Sequence, residues 1–330
     1  MSEEEEMKAI RVEEFGDPGV LEPVEVERPT PGEGDVLIEV RAIGVNYADT
    51  MRRQNQYLVE TPLPFVPGSE VAGTVAEVGE GVEDVEEGDR VVVLTGTDGY
   101  AEYAVAPGQN LIPIPDGMGF DEAAAVPLQG LTAYHVIKTF GRLEEGESVL
   151  VHAAAGGVGS LAVQMAKLMG AGTVIATAST QEKLDLAKNL GADVLIDYTE
   201  ENWPEQVREA TGGAGANVIL EMVGGEFIQK NLGCLATFGR MVVYGAASGK
   251  RGTLGPMGLM NNNHTVVGFW LEQALARPEL VGPALEEILG WISSGDLELT
   301  IGARYPLEEA QKAHEALEGR QTTGKIVLNP

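Results

Sequence analysis

The sequence predicts an α/β protein in which a β-rich N-terminal block precedes a doubly wound parallel sheet. Three observations predict it. Residues 7–105 hold short alternating apolar segments punctuated by Pro and Gly. Beyond residue 148, apolar strands alternate with helix-length intervals. At the junction lies Ser148-Val-Leu-Val-His-Ala-Ala-Ala-Gly-Gly-Val-Gly-Ser-Leu-Ala-Val-Gln-Met-Ala-Lys-Leu-Met-Gly170: a strand, a tight glycine turn and a helix.

Taken in order, Met7-Lys-Ala-Ile-Arg-Val and Val36-Leu-Ile-Glu-Val-Arg-Ala-Ile read as strands, with Pro29, Pro31, Gly32 and Gly34 marking the loop between them. Asn46–Tyr57 reads as a short helical turn. Strands follow at Gly73-Thr-Val-Ala-Glu-Val-Gly79, Gly88-Asp-Arg-Val-Val-Val-Leu94 and Tyr100-Ala-Glu-Tyr-Ala-Val105. Connections this short exclude parallel pairing, which needs long crossovers. Residues 121–127 and 132–138 have helical spacing. Strands are then predicted at 148–153, 173–178, 193–198, 217–222, 240–244 and 265–270, with Gly170 and Gly191 as helix stops. Six such strands complete a dinucleotide-type sheet. A helix at 280–293, a strand-like Leu297-Glu-Leu-Thr300, a helix at 307–318 and a closing strand Lys325-Ile-Val-Leu328 finish the chain.

The 330 residues suffice for two domains, and 44% hydrophobic with 22% charged residues is ordinary for a globular protein. Asp and Glu total 51 against 22 Lys and Arg, a formal charge of −29. Such a surface repels nucleic acid and anionic membranes. It reads either as a solubility surface or as adaptation to high salt, where counterions screen the self-repulsion. No apolar run reaches membrane-spanning length, and the start Met-Ser-Glu-Glu-Glu-Glu is unlike a signal peptide and reads as a solvated tail. The single cysteine, Cys234, excludes an intrachain disulfide and fits a cytoplasmic enzyme.

The glycine turn carries the first chemical reading. Gly156, Gly157, Val158 and Gly159 open the helix, and backbone without Cβ atoms can approach a bound group closely. The helix start offers unpaired N–H groups and a positive dipole end, a seat for a pyrophosphate. Ala153 stands where the usual fingerprint has its first glycine. A plain strand-to-helix turn fits the glycines alone; the following strand Thr173-Val-Ile-Ala-Thr-Ala178 completes a βαβ unit and favours the cofactor site.

Six segments resemble, in order and spacing, the zinc-independent branch of the medium-chain dehydrogenase/reductase family, in particular zeta-crystallin-type NADPH:quinone oxidoreductases. They are Gly44-Val-Asn-Tyr-Ala-Asp-Thr50, Pro67-Gly-Ser-Glu-Val-Ala-Gly73, Gly130-Leu-Thr-Ala-Tyr134, His152-Ala-Ala-Ala-Gly-Gly-Val-Gly159, Gly191-Ala-Asp-Val-Leu-Ile-Asp-Tyr198 and Gly324-Lys-Ile-Val-Leu328. The resemblance implies a GroES-like catalytic domain split around a Rossmann domain, with the active site in the cleft. The expected bounds are 1–125 for its N-terminal part, 126–270 for the NADPH-binding domain and 271–330 for the completing part. A homodimer is expected.

A catalytic zinc is argued against by the residues themselves. Cys234 falls within the nucleotide-domain alternation, and His135, His152, His264 and His314 show no paired ligand spacing. Compared with zinc-dependent relatives, Asn46 replaces a cysteine ligand and Ser69 the histidine of a Gly-His-Glu element. Without a Lewis acid, alcohol oxidation is disfavoured and reduction of an activated acceptor, a quinone or conjugated carbonyl, is expected.

An NAD site generally has Asp or Glu near the end of the second strand. Here Ala178-Ser179-Thr180 stands there, followed by Lys183. Ser179 or Thr180 as a helix N-cap beside an exposed lysine accounts for the same residues. By resemblance, Ser179, Lys183, Tyr198 and Arg320 hold a 2′-phosphate, so NADPH is the expected cofactor. Resemblance also places Asn46 and Thr132 near the nicotinamide and its ribose, and Tyr244, Gly245 and Ala246 along the pyrophosphate. Gly268, Phe269 and Trp270 border the ring through backbone groups, although both aromatics fit core packing equally. His152, at a strand end, reads as a hydrogen-bonded structural histidine. Tyr57, eleven positions after Asn46, is a candidate acid, as in enoyl thioester reductases, another zinc-free branch; it also fits as packing on the cleft rim. Three readings stay open: quinone or enone reductase, 2-enoyl thioester reductase, and non-catalytic NADPH-binding protein.

Overall fold

The computed structural model describes residues 5–330. Of the acidic start, residues 1–4 lie outside the described residues. Glu5 and Glu6 are not tail: the Glu5 carbonyl accepts the Arg28 N–H at 2.8 Å, and Glu6 opens the first strand.

In chain order the first elements are β1 (Glu6–Arg11), β2 (Glu22–Glu27), β3 (Asp35–Val45), α1 (Tyr47–Arg53), β4 (Glu70–Val78), β5 (Arg90–Leu94), β6 (Tyr103–Pro107), β7 (Ile112–Pro113), α2 (Phe120–Ala123) and α3 (Pro127–Tyr134). Next come β8 (Ser148–Val151), α4 (Gly157–Leu168), β9 (Thr173–Ala178), α5 (Gln181–Asn189), β10 (Val194–Asp197), α6 (Trp203–Ala210), β11 (Ala216–Glu221), α7 (Phe227–Cys234), β12 (Leu235–Val243), α8 (Pro256–Met260) and β13 (Thr265–Gly268). The chain ends with α9 (Leu271–Leu275), α10 (Pro278–Ser294), β14 (Ile301–Pro306), α11 (Ala310–Glu318) and β15 (Lys325–Asn329).

The chain divides into two compact units, residues 1–128 with 300–330, and residues 129–299. In the first unit, β1 and β2 pair antiparallel, and a larger sheet runs β14-β15-β3-β4-β5-β7 with β6 also on β3. The contacts among β3 to β7 are antiparallel, as their short connections require. The last strand, β15, closes the sheet antiparallel to β3, while β14 lies parallel to it. Strand β3 is nearly all buried, because Val36, Ile38, Val40 and Ile43 join one apolar cluster with Val71, Val93, Ile326 and Leu328. Each such side chain contributes about 1.5–3 kcal/mol on burial.

The second unit holds the parallel sheet, ordered β10-β9-β8-β11-β12-β13. Strand order therefore reverses between β8 and β11, where doubly wound sheets place their ligand. Its core gathers Leu150, Ile175, Ile219 and Met241 from the strands with Trp203 and Val207 from α6.

The second unit extends to Leu299 and so includes α10. Tyr134 in α3 donates to Glu287 at 2.6 Å and its ring meets Trp291. The segment 297–300 is no strand. Gly295, at φ 82°, ends α10 in the left-handed conformation, and the Gln164 side chain then takes both backbone groups of Glu298. The strand begins at Ile301 instead.

Candidate functional site

All six strands of the second unit run parallel, so their C-terminal ends share one edge. That edge collects the turn Ala153–Gly156 after β8, Ser179 after β9, Tyr198 after β10, Tyr244, Gly245 and Ala246 after β12, and Phe269 after β13. Gly156 is the extended N-cap of α4, and Gly157, Val158 and Gly159 form its first turn. A Cβ on Gly159 would lie 2.2 Å from the Ala153 carbonyl, so glycine is what lets α4 pack onto the turn. Ala153 itself sits at φ 48°, the left-handed region that favours glycine.

At the end of β9 the Thr180 hydroxyl caps α5, accepting the Lys183 N–H at 3.4 Å. The capping residue is thus Thr180, and Ser179 and the half-buried Lys183 stand at the same strand end. Tyr198 lies on the neighbouring strand end; its N–H bonds the Ala178 carbonyl at 3.1 Å and its ring meets Phe227 edge-on. Tyr244 bonds the Glu221 carbonyl, and burial pushes its phenol up. Thr132 is buried in α3. Phe269 is core: its ring centroid lies 5.1 Å from Phe140 and 6.0 Å from His135. These residues suit a dinucleotide, since the α4 start offers N–H groups and no carboxylate ends β9.

The first unit holds Asn46, Tyr57 and Arg320. Asn46 follows β3 and caps α1, its N–H donating to Asp49 at 2.8 Å. Its Nδ2 donates to the Gly44 carbonyl at 3.1 Å and to Glu70 Oε1 at 2.7 Å. Its Oδ1 accepts from Lys325 Nζ at 2.9 Å, and Lys325 also pairs with Glu70. Both amide hydrogens are therefore committed, so the network orients Asn46 rather than leaving it to donate. Gly44 makes room for this cluster; a Cβ there would lie 2.5 Å from Glu70 and 2.6 Å from Lys325. Beyond it, Ser69 donates to Asp49 at 3.0 Å and the Tyr100 hydroxyl reaches Asp49 at 3.3 Å and His314 at 2.9 Å. Burial pushes the Asp49 carboxyl up to about 6, and burial with Arg53 pushes His314 down to about 3. The Tyr57 ring lies beneath Arg52. Arg320 follows α11 at φ 54° and acts on the Tyr47 phenol. Sequence reasoning passes over Glu70 and Lys325, although both stand inside segments that carry the resemblance. Among the described residues, no group of three or more His, Cys, Asp or Glu is placed to hold a metal ion.

Comparison with known proteins gives the family. The alcohol dehydrogenase GroES-like domain family matches residues 32–116, and the zinc-binding dehydrogenase family matches residues 157–288. A quinone oxidoreductase of Pseudomonas aeruginosa is 38% identical, over 98% of this chain and 99% of that protein. The chain belongs to the zinc-independent medium-chain dehydrogenase/reductase family, in its zeta-crystallin-type NADPH:quinone oxidoreductase branch. Two solved structures are similar to it in fold. Escherichia coli quinone oxidoreductase complexed with NADPH has a TM-score of 0.92 at 35% identity, covering 98% of this chain and all of that one. A mycobacterial protein complexed with NADPH has a TM-score of 0.93 at 40% identity, with the same coverage. The Asn46 side chain is engaged with Glu70 and Lys325, and the Ser69 hydroxyl with Asp49.

Proposed function

We propose that this chain is an NADPH-dependent oxidoreductase that reduces a quinone or another conjugated carbonyl without a metal ion. The observation that carries the reading is the carboxyl edge of the parallel sheet: a glycine-opened helix at β8 and a β9 end with serine and lysine in place of an acid. When bound, the nicotinamide supplies a hydride. Gly156, Gly157, Val158 and Gly159 receive the pyrophosphate on backbone N–H groups, with Tyr244, Gly245 and Ala246 beside it. Ser179, Lys183, Tyr198 and Arg320 hold the 2′-phosphate. Thr132, Asn46 and the backbone at Phe269 serve the nicotinamide end, with Asn46 acting through the geometry of β3 and α1.

Lys183→Ala tests the phosphate assignment. It should weaken NADPH and spare NADH, and equal dissociation constants for the two in the parent protein would sink it. A second reading, a 2-enoyl thioester reductase, is favoured by Tyr57, whose phenol lies half-buried in the loop after α1. NADPH oxidation with a simple quinone, with a short enoyl thioester, or with neither separates both readings from a non-catalytic one.

The partner is then a small electrophilic acceptor; a surface of formal charge −29 repels nucleic acid and anionic membranes. We assign the protein to the cytoplasm, because its one cysteine is a free, buried thiol suited to a reducing compartment. We also propose a homodimer. Phe238, Met257 and Met260 are each about two-thirds exposed or more, and the Phe238 N–H bonds Asn262 just beyond α8, beside the edge strand β13. Sedimentation of the parent and of Phe238→Glu tests it; a monomeric parent ends the proposal.

A further inference from the structure

A buried hydrogen-bond network runs beneath the carboxyl edge of the parallel sheet. It starts at Thr177 in β9, whose hydroxyl lies 2.8 Å from Nδ1 of His152. His152 directly follows β8, and its Nε2 lies 2.8 Å from Oδ1 of Asn231 in α7. Asn231 Nδ2 donates to Oε2 of Glu221, the last residue of β11. The other Glu221 oxygen accepts the N–H groups of Val223 and Gly224, both at 2.6 Å. All four side-chain-bearing residues, Thr177, His152, Asn231 and Glu221, are 0% exposed.

Donors and acceptors fix the direction of this network. The amide oxygen of Asn231 only accepts, so Nε2 of His152 carries the proton and Nδ1 accepts from Thr177. Burial pushes His152 below its ordinary value and keeps the ring neutral. Every member has a partner, and the network ends on a carboxylate gathered by three donors. An apolar core supplies stability without these groups; a fully satisfied buried network adds a defined geometry.

The geometry concerns three loops. His152 leads straight into the Ala153–Gly156 turn, where the Ala154 N–H also bonds the Thr177 carbonyl at 3.0 Å. Thr177 lies two residues before Ser179. Val223 and Gly224 form the turn after β11, and the Val223 carbonyl accepts the Ser248 N–H from the loop after β12 at 2.9 Å.

We propose that Thr177, His152, Asn231 and Glu221 are positioning residues for the dinucleotide. They lock the pyrophosphate turn to the 2′-phosphate end of β9 on one side and to the turn after β11 on the other. The inference rests on the placement of the 2′-phosphate at Ser179 and Lys183 proposed above.

The two ends of the network have different consequences. Thr177→Val keeps the shape and removes the hydroxyl, so the side-chain tie to β9 is lost while the Ala154 N–H bond to the Thr177 carbonyl stays. It should reduce the preference for NADPH over NADH severalfold while the NADH dissociation constant holds. Asn231→Leu cuts the middle and should weaken both dinucleotides about equally, by about tenfold. Turnover at saturating NADPH should stay near the parent value in both. His152→Gln, able to accept from Thr177 and donate to Asn231, should keep the binding that His152→Leu loses.

The experiment is a fluorescence titration of each variant with NADPH and NADH, beside thermal unfolding without nucleotide. Lys183→Ala runs alongside: if it leaves the preference unchanged, the phosphate placement fails, while Asn231→Leu still tests the network by itself. Folded variants with lowered unfolding temperatures but parental dissociation constants would overturn the proposal. Should Asn231→Leu fail to fold, Thr177→Val and the His152 pair decide by the same criterion.

Discussion

The guanidinium carbon of Arg52 lies over the face of the Tyr57 ring, 4.3 Å from its centroid. Arg52 is buried and Tyr57 half-buried, so the cation–π contact is partly desolvated and pins the ring in the loop after α1. Tyr57→Phe keeps that ring beneath the cation and removes only the hydroxyl. With an enoyl thioester the variant should lose about 10²–10⁴-fold in turnover, the usual effect of losing a general acid. With a quinone, protonation of oxygen by water is fast, and the rate should hold. NADPH oxidation measured with both acceptors checks this. Unchanged rates on every acceptor the parent reduces would remove Tyr57 from the chemistry.

Ala153 offers a stability test at the cofactor turn. An L-residue in the left-handed region costs about 1–2 kcal/mol, and glycine relieves it. Glycine also frees the unfolded chain, which takes back about 0.5–1 kcal/mol. Ala153→Gly should therefore raise the urea midpoint, by up to about 1.5 kcal/mol in unfolding free energy. A lowered midpoint would mean that the Ala153 methyl contributes packing that outweighs the backbone strain.

The Glu70–Lys325 pair is fully buried and shares Asn46 between its members. Lys325→Met leaves the Glu70 carboxylate and the Asn46 amide oxygen without their common donor. Removing one partner of a buried pair costs about 3–5 kcal/mol, so urea unfolding should register a loss of that order. Glu70→Gln combined with Lys325→Met removes the orphaned charge and should recover part of the loss. A double variant no better than the single one would show that the pair acts through packing alone.

Much of this fold is legible because it is written locally. The glycine turn at 156–159, the stops at Gly170 and Gly191 and the apolar strand runs each lie within a short stretch of chain. The segment 297–300 shows the limit of that reading. Leu-Glu-Leu-Thr alternates like a strand, yet its backbone is taken by Gln164, a side chain 134 residues away. The site has the same divide. Ser179 and Lys183 are visible as neighbours at a strand end, whereas Asn46 meets Glu70 and Lys325 across 24 and 279 residues. Likewise His152 reads as structural from its strand-end position, but nothing local to it announces Asn231 or Glu221.

Asp49 and His314 share the Tyr100 hydroxyl and titrate in opposite senses. Burial raises Asp49 from 3.8 to about 6 against the opposing pull of Ser69, Lys325 and the Asn46 N–H; Glu70 adds to the rise. The folded protein thus holds a proton that the unfolded chain releases, and Asp49 contributes stability below about pH 4 that is lost as the pH rises through about 6. His314, lowered from 6.5 to about 3 by burial and Arg53, contributes stability above its ordinary value that is lost as the pH falls toward 3. Between about pH 4 and 6 the two slopes oppose each other. Asp49→Asn keeps an oxygen to accept from Asn46 or Ser69 and removes one of the two titrations. Relative to the parent, the variant should gain stability from about pH 4 to 7 by an amount on the order of 3 kcal/mol, the equivalent of the Asp49 displacement. Urea unfolding of both proteins across that range measures the difference, in which every other titration cancels. A difference that does not change with pH would mean that Asp49 is ionised in the fold throughout.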